Sequence, residues 1–119
     1  MSFWREEVIQ PALDDETRRH MQEQLDWIAR EPSNPKPYRH LADFYRMEGR
    51  RQEALGLLLH AVHLDPQFAD AHAALAELYA VLADDRAAWR HARLAEQGGE
   101  SRAVELLQKY GVPESEPRL

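Results

Sequence analysis

Apolar residues recur along this chain at helical rather than strand spacing. Tyr38, Leu41, Ala42 and Tyr45 fall at i, i+3, i+4 and i+7, and Ala54, Leu58 and Ala61 form a second such stripe. No stretch alternates apolar and polar residues long enough for a strand. Punctuation residues divide the pattern. Asp14-Asp15 opens a helix over about 14–30 that closes before Pro32, because acidic side chains suit the positive end of a helix. Asn34 caps a second helix over about 35–48, with Pro35 or Pro37 in its first turn and Gly49 past its end. A third, about 51–64, stops at Pro66, and a fourth covers about 69–82. Asp84-Asp85 opens a fifth that ends at Gly98-Gly99, and Ser101 caps a sixth that Gly111 and Pro113 terminate. Residues 112–119 read as a flexible tail, and the first eleven as a short helix before Pro11.

Composition agrees with an all-α chain. Ala (17) and Leu (15) dominate, whereas Val, Ile and Thr together number eight, the reverse of what strands favour. Helices of this length joined by such short turns must be antiparallel neighbours. A chain of 119 residues then holds one domain or a short repeat array.

Shifting the sequence by 34 residues exposes a repeat. Tyr38, Leu41, Ala42, Tyr45, Ala54, Leu58, Ala61 and Pro66 land on His72, Leu75, Ala76, Tyr79, Ala88, Ala92, Ala95 and Glu100, with five of the eight identical. Small residues let helix backbones approach, and large ones fill the space beside them. The pattern YRHLADFY…ALGLLLHAVHLDP over residues 35–68 resembles the tetratricopeptide repeat, a helix–turn–helix unit of about 34 residues reading W-x₂-L-G-x₂-Y, A-x₃-F, P. Tyr38 stands for the Trp, Ala42 for the Gly and Leu58 for the Phe. Residues 69–102 are a second copy, departing at His72, Ala92 and Glu100. In residues 1–34 only Trp4, Trp27 and Pro32 fit, and Pro11 should break an inner helix, so this segment reads as a degenerate repeat or cap. Residues 101–111 resemble the capping helix that follows the last repeat of the family. The resemblance implies an α-α superhelix, one domain over residues 1–111, whose inner helices line a concave groove that binds other proteins.

The groove side of the first inner helix then carries Lys36, Arg39, His40, Asp43, Arg46 and Met47, and that of the second Asp70, Ala73, Glu77 and Ala80. One end is basic and the other small and acidic. Two readings stand. Lys36, Arg39 and Arg46 hold an acidic partner segment while Ala73 and Ala80 leave room for its bulky side chains. Or this is a solvated face with i, i+4 pairs such as Arg39–Asp43. Neither inner helix holds an Asn, so the family's carboxylate-clamp role is not expected.

Charge and chemistry narrow the rest. A net charge of −6 opposes nucleic-acid or anionic-membrane binding, and no stretch reaches the ~18 apolar residues of a membrane span. The chain has no cysteine, no G-x-S-x-G, no glycine-rich phosphate loop and no H-E-x-x-H, so no enzyme, metal or cofactor is expected. His60 and His63 stand at i, i+3 without a third ligand, and His72 occupies the aromatic core place of its repeat. Trp27 and Trp89 read as packing residues. The start Met1-Ser2-Phe3-Trp4-Arg5 carries no apolar leader, which reads as cytoplasmic. The expected partner is another protein. Self-association through Phe3, Trp4, Val8 and Ile9, or through the repeat ends, is the alternative.

Overall fold

The computed structural model describes residues 14–114, which form six helices and no strand. They are α1 Asp15–Arg30, α2 Pro35–Met47, α3 Arg51–Leu64, α4 Ala69–Val81, α5 Asp85–Gln97 and α6 Arg102–Lys109. The short helix expected before Pro11, the aromatic segment Phe3, Trp4, Val8 and Ile9, and residues 115–119 of the expected tail lie outside the described residues.

Local chemistry sets the boundaries. The Asp14 carboxylate accepts the Thr17 N–H at 2.7 Å, the Asn34 side chain accepts the Lys36 N–H at 3.0 Å, and the Asp84 carboxylate accepts the Ala87 N–H at 3.1 Å. Ser101, expected to cap α6, does not. Its hydroxyl lies 3.1 Å from the Glu105 carboxylate, while the Glu100 carboxylate accepts the Arg102 N–H instead.

The helix bounds recur at the 34-residue interval: α2 and α4 begin at 35 and 69 and end at 47 and 81, and α3 and α5 begin at 51 and 85. Details recur too. The Tyr38 hydroxyl donates to the Pro32 carbonyl at 2.7 Å, and His72 Nε2 pairs with the Pro66 carbonyl at 2.8 Å, each six residues back. The Tyr45 carbonyl accepts the Arg50 N–H and the Tyr79 carbonyl the Asp84 N–H, at 2.8 and 2.9 Å. The turns between differ. Gly49 has φ +78°, and Ala83 fills the same place with φ 63°.

Each helix packs on the next, most closely α2 on α3 and α4 on α5, and α6 folds back to touch both α4 and α5. Two apolar clusters result. One joins Ala42, Ala54 and Leu58 to Ala74, Leu75 and Leu78. The other joins Ala73, Ala76, Ala88, Trp89, Ala92 and Ala95 to Ala103, Val104 and Leu107 of α6. Tyr79 packs against both. Leu41 and Ala61 are buried as well, whereas Tyr38, Tyr45 and Tyr79 are half-buried. Pro66, grouped with the core pattern from sequence, is exposed: it sits at the turn, and its carbonyl makes the structural contact. α4 is surrounded, with seven of its thirteen residues buried, which is why it is built largely of alanine.

The segment after α6 is not loose at its start. The Trp89 indole N–H donates to the Val112 carbonyl at 3.0 Å, Val112 packs on the second cluster, and Arg93 holds Glu114 at 2.6 Å. Residues 112–114, assigned to a flexible tail from sequence, are thus fastened to α5. The reason is long-range: the partners lie about twenty residues upstream. No helix among the described residues is long and apolar enough to cross a membrane.

Candidate functional site: the face shared by α2 and α4

The regular offset of α2 and α4 brings their corresponding sides together. Lys36, His40 and Met47 are exposed there, and Arg39, Asp43, Arg46, Asp70, Glu77 and Ala80 are half-buried. Ala73 is not on this face. It has no exposed surface and belongs to the cluster with Ala103 and Leu107, because α6 returns over that side of α4. It leaves no room for a partner's side chain.

The basic and acidic ends pair with each other. Arg39 contacts Asp43 at 2.7 Å and, across the helices, Asp70 at 3.0 Å. Arg46 lies 3.9 Å from Asp43 and 3.7 Å from Glu77. Arg102 of α6 closes the array, reaching Asp70 at 2.9 Å, Glu77 at 3.1 Å and Glu100 at 3.3 Å. Asp70 and Glu77 therefore each sit between two guanidiniums. Burial opposes ionisation of Asp70, but Arg39 and Arg102 outweigh it and hold the carboxyl below its ordinary range. Arg102 is shifted up: burial works against its charge, and its bonds to Asp70 and Glu77 prevail.

This array corrects the expectation that Arg39 and Arg46 stand ready for an acidic partner. Both are already matched by carboxylates of this chain, including the i, i+4 pair Arg39–Asp43. Lys36 keeps no acidic partner among the described residues, nor does Arg51 at the start of α3.

Beside the array lies an open trough of about 520 Å³, lined by Asp43, Arg46, Met47, Arg51, Leu78 and Val81. Met47 is 69% exposed and Val81 54%, the last residues of α2 and α4. Sequence reasoning did not single out Arg102, Arg51 or Leu78, and read Glu100 only as a lost proline; their roles come from packing between elements. His91 was missed as the partner of His72, because the first hairpin has Leu57 at that place.

No group of three or more His, Asp or Glu among the described residues is placed to hold a metal ion. His60 and His63 stack with ring centres 6.2 Å apart, and Tyr38 meets His60 edge-on at 4.6 Å. No family model matches the chain, and neither does any curated protein or solved structure.

Proposed function

We propose that this chain is a tetratricopeptide-type protein-binding module. In this reading the hairpins 35–68 and 69–102 stack as a short superhelix, flanked by a degenerate unit and the capping helix α6. It acts as a cytoplasmic adaptor or assembly chaperone, without cofactor or metal, and takes an extended or helical segment of another protein along the α2/α4 face. One observation supports this reading above the rest: α2 and α4 share their bounds at the repeat interval and keep one side in common, with Met47 and Val81 standing out from it. The ion pairs among Arg39, Arg46, Arg102, Asp43, Asp70 and Glu77 hold that side in shape.

The test is affinity capture with wild-type protein and a Lys36→Glu/His40→Glu/Ala80→Glu variant in parallel, followed by reconstitution with each purified candidate. The expected result is a partner that binds wild type directly and is lost from the variant. Equal binding by both proteins removes the face from consideration.

Self-association is a second reading, supported by α1. Among the described helices it is the one with no buried residue, and Leu25 is 41% exposed on it. Light scattering across a concentration series separates the two readings: a mass of one chain throughout excludes this one.

A further inference from the structure

Resting on the binding reading, we infer that the trough between the ends of α2 and α4 recognises a bulky apolar side chain next to an Asp or Glu in the partner segment. Three observations carry this. Met47, Leu78 and Val81 give the trough an apolar wall, and two of them are largely exposed. Such side chains gain by covering one another, since apolar surface leaves water. A volume of about 520 Å³ suits a short cluster of side chains and not a folded domain.

The charges of the wall are unequal. Asp43 faces Arg46 at 3.9 Å, and Arg46 also faces Glu77. Arg51 has no acidic partner among the described residues. Arg46 is thus already matched, and Arg51 is the guanidinium of the lining left without a carboxylate, on a chain whose net charge is −6. An unpaired guanidinium on an acidic molecule selects a carboxylate beside it, while the net charge disfavours long acidic runs elsewhere. A guanidinium takes a carboxylate through paired N–H donors, so the acidic residue must sit within a side chain's reach of the apolar one.

The probe is a library of random peptides displayed on phage, selected on the full chain; enriched peptides are synthesised and titrated. The enriched sequences should share a Leu, Phe or Met adjacent to Asp or Glu. Binding should fall by about tenfold or more in Arg51→Glu and in Val81→Glu, and by less in Arg51→Lys, which keeps the charge but not the paired donors. Arg51 and Val81 are exposed, so both variants should keep the wild-type circular dichroism spectrum; Met47→Glu replaces either one that does not. Enriched peptides without an acidic residue overturn the inference. So do peptides whose affinity stays within about twofold in both charge variants, and that result leaves the wider binding reading standing. Failure of any peptide to enrich on wild type overturns both.

Discussion

His72 and His91 face each other through their Nδ1 atoms at 3.0 Å, both nearly excluded from solvent. In the neutral pair the geometry fixes the tautomers. His72 Nε2 donates to the Pro66 carbonyl, so its Nδ1 is free to accept, and His91 Nδ1–H donates to it. Tyr79 stacks on His91 with ring centres 5.5 Å apart, and Arg90 repels a charge there. Burial, then the neighbouring His72, then Arg90 push His91 down from 6.5 to about 4.

A group whose folded value lies below its unfolded one binds fewer protons when folded, so stability rises with pH between the two. The contribution is complete above about 6.5 and is lost as pH falls toward about 4. Urea unfolding across that window should show a falling midpoint. His72→Tyr/His91→Leu installs the residues that Tyr38 and Leu57 provide in the first hairpin, and should flatten the slope. An unchanged slope in the double variant places the acid sensitivity elsewhere.

Ala83 holds φ 63° at the place where Gly49 holds φ +78°. A Cβ in that region crowds the following carbonyl oxygen, and only part of the relief from removing it is lost to chain entropy. Ala83→Gly should therefore stabilise the chain by about 0.5–1 kcal/mol, read as a raised denaturant midpoint. Gly49→Ala should move it the other way.

Gly98 acts through contact and not through conformation. Its φ is −89°, but a Cβ there would lie 2.7 Å from the Ala69 Cβ at the start of α4. Gly98→Ala should cost about 1–3 kcal/mol. The sequence reads Gly98-Gly99 as the end of a helix, which suits Gly99 at φ +92° and does not foresee this close approach. Pairing Gly98→Ala with Ala69→Gly should restore most of the loss in thermal unfolding.

Asp70 links α2 to α6 through Arg39 and Arg102. Its carboxyl is held below 3.8, so its stabilisation is present above that value and lost as pH falls through the lower folded one. Asp70→Asn should destabilise by about 1 kcal/mol near neutral pH, and less in high salt. A double-mutant cycle with Arg39→Ala measures the coupling; additive effects would mean that the pair contributes nothing.

Much of the helical frame was legible because it is written locally. Asn34, Asp84, Gly49 and Pro66 mark ends, and the stripe Leu41, Ala42, Leu75, Ala76 marks what is buried. The site was less legible because it depends on where helices meet. Ala73 looked free on a helical wheel until α6 covered it, and Arg39, whose i, i+4 partner Asp43 was legible, also meets Asp70 across 31 residues. Arg102 has Glu100 two residues before it, but Asp70 and Glu77 reach it only through the return of α6.

Tyr79 belongs to both apolar clusters, and α4 is enclosed on nearly every side. A row of hairpins joined by thin contacts would unzip from its ends, one unit after another. Here the ring that both clusters share couples their fates, so the two halves should melt together, in a single cooperative step.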